Sequence, residues 1–385
     1  MKIILKLLAG MVAGILLGFY APDWAVRTLL TIHEVIGQLI KFTIPLIILF
    51  YITSGIACLP KDSGKLLGRT VGFAYSSTLI AGILAFLVAS VALPLLSPTA
   101  GTVGHESGAL TSFFKMEIPP LFGVISALVA AFVFGIGISA LQAEKLRSVF
   151  DDGRDVIERL LGKVIIPLLP LYIAGVFAAM AADGSVFTTL KAFGTVLVLV
   201  VVMHWVWLTI LYVTTGILNR RSPLELIRTM LPAYFTALGT MSSAATIPVT
   251  LRSVKNAKVS EPIANFVVPL CANIHLSGST ITIVTCASAV MLITPGVAIP
   301  SLGAMLPFIM MLGVIMIAAP GAPGGAVMAA LGLLTSMLGF NETQIALMIA
   351  LYLAQDSFGT ATNVTGDGVI AVWMDKYFGK EVAGK

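Results

Sequence analysis

The 385-residue chain is 58% apolar and only 11% charged, and its mean hydropathy is +1.02. This lies far outside the composition of soluble globular domains and marks an integral membrane protein. The net charge of +5 belongs, in such a chain, to cytoplasmic loops where Lys and Arg collect rather than to a nucleic-acid surface. Cys58, Cys271 and Cys286 form no CxxC pair and sit in apolar runs, so they read as small buried residues, not as a disulfide framework or metal cluster.

Six apolar segments come first, each near or above the ~20 residues of a spanning helix: Ile3 to Tyr20, Val35 to Leu59, Val71 to Leu96, Ile118 to Leu141, Val164 to Ala182 and Phe193 to Leu218. The first has the outline of a signal peptide, but with so many spans behind it, it reads as a transmembrane helix. Basic residues gather at alternate ends: Lys2 and Lys6; Lys61, Lys65 and Arg69; Lys145, Arg147, Arg154, Arg159 and Lys163; Arg220, Arg221 and Arg228. That alternation places the N-terminus in the cytoplasm and the loop Ser97 to Glu117 outside.

Met230 to Leu251 breaks the pattern. It is long enough to span, yet it contains Pro232, Gly239, Ser242, Ser243 and Pro248, and both flanks are basic. A segment with both ends on the positive side enters and leaves by one face, so a re-entrant helical hairpin with its tip at MSSAAT is predicted. No Lys or Arg follows Lys258 until Lys376. Within that interval lie a span from Ile263 to Leu292 interrupted around NIHLSGST, a stretch from Ala298 to Met337 with APGAPGG at its middle, and a final span from Ile345 to Trp373. With a cytoplasmic C-terminus, the middle stretch becomes a second hairpin entering from the opposite face. Two opposed hairpins beside interrupted spans point to an inverted-repeat secondary transporter with its site near the midplane, because non-helical backbone at that depth must line a cavity or lie buried.

Polar residues converge on the last span. In LAQDSFGTATNVTGDG, Asp356, Thr360, Asn363 and Asp367 stand at i, i+4, i+7 and i+11 and share one helix face. The carboxylates lie about 16 Å apart along the axis, too far for a catalytic pair but suited to two sites, an organic substrate at Asp356 and a cation at Asp367. An acid placed in lipid is costly and therefore functional by default. The TGDG sequence is similar to one of intramembrane aspartyl proteases, but those need two carboxylates sharing a proton; here both lie on one helix, and no enzyme is expected. No GxxxxGKS occurs, so direct drive by ATP is not indicated. A passive channel is the rival outside the transporter class. His204, in VVMHWVW, reads as a packed residue.

At TMSSAATIP, APGAPGG and NVTGD the chain resembles the dicarboxylate/amino acid:cation symporter family, the glutamate transporter homologues, over essentially its whole length. The resemblance implies an all-α polytopic fold of eight transmembrane helices plus two re-entrant hairpins, working as an elevator in a homotrimer of the cell inner membrane. It assigns residues 1–66 to scaffold helices 1 and 2, 67–97 to transport-domain helix 3, 98–190 to scaffold helices 4 and 5, and 191–385 to the rest of the transport domain. It further implies that Asp356 binds a substrate amino group and Asn363 the carboxylate, with Ser242, Ser243, Ser279, Ala322, Gly324, Gly359 and Thr360 around them. One sodium site would use Asp367 with carbonyls of Cys271, His275 and Asn363; another would use carbonyls of Ala319 and Asn273.

The departures from the family pattern are informative. Gly359 and Met241 stand where acidic-substrate members carry arginine, so an unpaired substrate anion at midplane would cost several kcal/mol. Unless a protonated His275 supplies the charge, a small, neutral, zwitterionic amino acid is expected instead. The family's NMDGT reads His275, Leu276, Ser277, Gly278 and Ser279, with helix-3 partners at Thr78, Ala81 and Gly82. The resemblance thus implies fewer coupling sodium ions, or proton coupling through His275, whose imidazole titrates near neutral pH; a neutral, hydrogen-bonded His275 is the structural alternative. Beyond the coupling ion, Na⁺ or H⁺, no cofactor is expected. The runner-up is a sodium-independent, proton-coupled carrier of an amino acid or organic acid.

Overall fold

A computed structural model describes residues 2–57, 64–96, 110–317, 319, 321 and 323–383. Among these, regular structure is helical throughout: α1 (Lys2–Tyr20), α2 (Asp23–Ala57), α3 (Gly64–Leu96), α4 (Val124–Leu141), α5 (Glu144–Leu160), α6 (Ile166–Ala182), α7 (Val186–Asn219), α8 (Pro223–Thr240), α9 (Ser243–Asn256), α10 (Glu261–Ile274), α11 (Ser277–Ile293), α12 (Leu302–Met316), α13 (Gly325–Leu338) and α14 (Glu342–Ala383). Several are long and apolar enough to cross a membrane, and the protein is a multi-pass membrane protein.

Helix bounds follow local chemistry. Ser222, followed by Pro223, caps α8 by accepting from Glu225 N–H. Ser301 caps α12 in the same way through Ala304 N–H. Asn341 and Gln344 exchange side-chain bonds with each other's backbone N–H at 3.0 and 2.8 Å, a reciprocal cap that starts α14. Between α5 and α6 the chain makes a π-helical turn, Leu161–Ile165. Pro167 explains it, since a proline that cannot donate shifts the hydrogen-bond register of the preceding turn. α5 is amphipathic, with Phe150 and Ile157 buried and Asp151 and Arg154 bonded to Ser54 of α2; hydropathy and charge alone present it as a basic loop.

Three helix interruptions shape the polar interior. α8 and α9 pack as an antiparallel pair joined at Met241 and Ser242. Met241 ends α8 at φ +56, a left-handed conformation that stops the helix, and Ser242 restarts the chain by accepting from Ala245 N–H. α10 and α11 form one span broken at His275 and Leu276. α12 and α13 pack together, and Gly324 at φ +76 opens α13. The breaks fall at MSSAAT, NIHLSGST and APGAPGG, where serines and glycines compete with the helical backbone.

The helices pack in two groups. α1, α2, α4, α5 and α6 pack on one another, and α3 packs with α7 to α14. α14 runs through the middle of the second group, in contact with α7, α8, α9, α10 and α11. Between the groups, α13 and α14 touch α2 and α6. The boundaries differ from those read in the sequence mainly by length. α2 begins at Asp23, a dozen residues earlier than hydropathy suggests, because its polar first turns lie against the chain around Thr111 and Phe113. α4 begins at Val124, since Pro119 and Pro120 keep the preceding residues extended.

Candidate functional site

Three interruptions mean three helix N-termini and three C-termini brought to one level. The first residues of α9, α11 and α13 approach α14 from different sides, and Ser243, Ser279 and Ala326 from these helices line one cavity with Asp356, Thr360 and Asn363. A helix N-terminus carries roughly half a positive charge and exposed N–H groups, which suits an anion. The C-termini of α8, α10 and α12 carry the opposite partial charge and free carbonyls, which suits a cation.

α14 presents Tyr352, Asp356, Thr360, Asn363 and Asp367 along one buried face. Gly324 N–H donates to Asp356 Oδ2 at 2.7 Å, so the start of α13 lies directly on the carboxylate. The α8–α9 turn also touches the chain before α13: Ser242 Oγ donates to Gly321 O at 2.8 Å. The cavity left between them is only ≈20 Å³, about the room of one water.

Asn363 is fully engaged. Its Oδ1 accepts from Gly278 N–H at 2.8 Å and Ser279 N–H at 3.2 Å, and its Nδ2 donates to Ser279 Oγ at 2.9 Å. The side chain therefore caps α11 from outside that helix. Gly278 permits the close approach: a Cβ there would lie 2.4 Å from Gly359 O and 2.7 Å from Thr362 Cβ. His204 holds the same residue from α7, its Nε2 donating to Gly278 O at 3.0 Å, and it is buried to 1% exposure. In an apolar run that carries no motif, this contact has no sequence signal, and His204 is more than a packed residue.

At the other end of the face, His275 Nδ1 donates to Asp367 Oδ1 at 3.0 Å, and Ser77 Oγ meets Nε2 at 2.9 Å. The chain Ser77–His275–Asp367 joins α3, the α10–α11 break and α14. Ser77 supplies the helix-3 contact to His275; Thr78 Oγ1, next to it, is buried without a hydrogen-bond partner. The one-residue difference follows from the helix rotation of α3, which hydropathy leaves open. Ala81 is fully buried, and a Cβ at Gly82 would meet Ile309 and Thr280 side chains, so both are packing contacts. Gly366 leaves room for the imidazole, since a Cβ there would lie 2.6 Å from His275 Cε1.

The other positions singled out in the sequence lie in several places. Cys271 O accepts His275 N–H at 2.9 Å as the last bond of α10. Asn273 is exposed, its Nδ2 bonded to Pro269 O and its Oδ1 facing Gly321; Ala319 is buried just beyond α12. Ala322 lies outside the described residues. Gly359 does not line the cavity: it faces α11, where a Cβ would stand 3.4 Å from Thr282 Oγ1 and 3.5 Å from Ser279 N. Among the described residues no three His, Cys, Asp or Glu side chains cluster as metal ligands. A cation held here would rest on one carboxylate and backbone oxygens, the ligand set of a hard ion. Tyr352, overlooked in the sequence, was legible there, since it extends the Asp356 to Asp367 face by one more i, i+4 step.

The model of the sodium:dicarboxylate symporter family matches residues 3–377. The chain belongs to that family. It is also 29% identical over 282 residues to excitatory amino acid transporter 1 of Ambystoma tigrinum, covering 69% of this chain and 51% of that protein. The chain thus spans about half the length of this curated relative. That family is one of symporters, and this relative is a transporter by name.

Proposed function

We propose that the protein is a secondary active, cation-coupled symporter of a small neutral amino acid. The observation that carries this reading is the lone carboxylate of Asp356 in a cavity lined by helix N-termini and free of Lys and Arg. An ammonium pairs with Asp356. A carboxylate meets the N–H groups at the starts of α9 and α13 and, once Ser279 Oγ yields it, Asn363 Nδ2. No group pairs a second anion. The ammonium brings a full charge to the carboxylate, where Gly324 N–H now offers a neutral donor. Substrate entry therefore exchanges Gly324 for the ammonium, and the second hairpin acts as the gate.

Asp367 with the carbonyl ends near α10 serves the coupling cation, and Asn273 and Ala319 a second one. The protein works from the inner membrane with both termini cytoplasmic, as a trimer whose first helix group is the fixed scaffold and whose second group moves as an elevator. The offset of the two groups supports that motion. Glu342, the first residue of α14, pairs with Lys41 of α2 and accepts from Gln38 Nε2 at 3.2 Å. Lys41 lies about 27 Å along α2 from Asp23, at 1.5 Å per residue, so the start of α14 sits at mid-α2. Above it opens a cavity of ≈1260 Å³ lined by Asp23, His33, Glu34, Asp183, Thr294 and Glu342. On the positive-inside orientation this is the inward-displaced position.

Binding of neutral and acidic amino acids to purified protein, with sodium and with choline in its place at two pH values, tests the reading. A neutral amino acid bound only with sodium is expected. Sodium-independent binding sensitive to pH would favour the proton-coupled carrier, and flux that never exceeds the substrate gradient would favour a channel.

A further inference from the structure

His204 of α7 is 1% exposed and does not line the cavity. Its Nε2–H is shared between Gly278 O at 3.0 Å and Thr282 Oγ1 at 3.2 Å, while its Nδ1 is buried without a hydrogen-bond partner. A ring needed there for packing alone would be better made of carbon, because a buried nitrogen left bare costs free energy. Gly278 O does not need the imidazole either, since Thr282 Oγ1 already donates to it at 3.1 Å from within α11. The bond from α7 is thus surplus to the satisfaction of the helix.

Its effect lies on the other side of the peptide. Gly278 C=O and Ser279 N–H belong to one rigid, planar unit. His204 donates to the oxygen end of that unit, and the N–H end donates to Asn363 Oδ1 at 3.2 Å. The Asn363 amide carries the chain one step further, its Nδ2 donating to Ser279 Oγ at 2.9 Å. Every bond in this series runs donor to acceptor in the same direction, from imidazole through peptide to amide, and bonds chained in this way polarise one another. A donor at Gly278 O strengthens Ser279 N–H as a donor, and a stronger bond at Asn363 Oδ1 strengthens Nδ2–H in turn. The peptide plane is also pinned at both ends, which fixes the orientation of the asparagine.

We propose that His204 is a positioning residue for the substrate, setting through the Gly278–Ser279 peptide how strongly Asn363 Nδ2–H takes a carboxylate. This rests on the amino-acid reading above, in which Asn363 Nδ2 leaves Ser279 Oγ for the substrate carboxylate, and it adds to that site a side chain that never touches the ligand.

Calorimetry on the full-length protein in sodium, with glycine, alanine and serine as probes, compares the wild type with three variants. His204→Phe keeps a ring and removes the donor. His204→Gln places an amide N–H where Nε2–H stood, and His204→Asn places one short of it, level with Nδ1. The probe that wild type binds most tightly is expected to bind His204→Phe about five- to tenfold more weakly and His204→Gln within about twofold of wild type. Melting temperatures of these two are expected to match wild type, since Gly278 O keeps Thr282 Oγ1. Wild-type affinity in His204→Phe would overturn the inference and leave the amino-acid reading standing. A loss in His204→Phe that glutamine does not restore would do the same, because it marks a residue that only packs. Should His204→Phe not fold, the amide pair decides: wild-type affinity in His204→Gln with a five- to tenfold loss in His204→Asn is expected, about one hydrogen bond, and equal affinities overturn the proposal. Failure of every probe to bind wild type would remove the amino-acid reading and this inference with it.

Discussion

Substituting Gly278 by alanine is expected to disable the site by separating α11 from α14. The new Cβ would stand 2.4 Å from Gly359 O, 2.7 Å from Thr362 Cβ and 3.1 Å from Asn363 Oδ1. Two of these neighbours are fixed by the helix backbone and cannot swing away. Restoring ordinary contact requires the two helices to part by about 1 Å, and overpacking of this kind costs about 1–3 kcal/mol. The same shift lengthens Gly278 N–H to Asn363 Oδ1 and His204 Nε2–H to Gly278 O, now 2.8 and 3.0 Å, and removes the pre-set orientation of Asn363. At about 1.4 kcal/mol per tenfold, substrate affinity should fall roughly tenfold to a hundredfold, with a lower melting temperature in detergent. Gly359→Ala is the matched control. Its Cβ meets atoms no closer than 3.4 Å, so it should bind and melt within about 1 kcal/mol of wild type. Calorimetric binding and thermal melting of both variants give the answer, and a Gly278→Ala protein equal to wild type in both would refute the packing argument.

Asp356→Asn removes the ammonium partner while keeping an acceptor for Gly324 N–H, so amino acid binding should be lost, by more than about a hundredfold, with the fold retained; unchanged affinity ends the role given to Asp356. Asp367→Asn should leave binding measurable but blunt its dependence on sodium, and a sodium titration that overlays the wild type would remove the cation site from Asp367. Gly366→Ala should push the His275 ring from Asp367, because its Cβ would lie 2.6 Å from Cε1; the sodium response should change as in Asp367→Asn, and an unaltered response contradicts a joint role for the two side chains. Across the helix groups, the side chains of Lys41 and Glu342 are 43% and 21% exposed, so their coupling should be modest, about 0.2–1 kcal/mol. A double-mutant melting cycle with Lys41→Gln and Glu342→Gln measures it, and additive effects would mean that the pair holds nothing.

Hydropathy was enough to find the long apolar helices, because lipid demands them. The three interruptions were legible for a related reason: Ser, Gly and Pro clusters inside an apolar run have no other use at that depth. The face of Asp356, Thr360, Asn363 and Asp367 could be read from spacing alone, since α14 is one continuous helix. What spacing did not reveal lies between helices. Ser77 and Thr78 are adjacent in sequence, and only the rotation of α3 decides which meets His275. His204 meets Gly278 O across seventy residues of chain. Gly359 looked like a vacated side-chain position in the binding site, but the closeness of α11 and α14 turns it away from the cavity.

The α10–α11 break ties the two ends of the α14 face together. Asp356 and Asp367 are held apart by a rigid helix, at about 1.5 Å per residue, so neither can respond to the other along α14. The break spans them by a different route. His275 bonds Asp367, and only three residues later Gly278 bonds Asn363. A cation that draws Asp367 away from the imidazole must move His275, and with it the residues whose N–H groups orient Asn363 toward a substrate carboxylate. Under the proposed reading, coupling of ion to substrate then needs no path through α14. It needs the break at His275 and Leu276 with the first turn of α11, held by Ser77 and His204 on its outer side and by α14 on its inner side, to have two arrangements. A helix continuous through His275 and Leu276 would keep both acids in place and still lose the coupling.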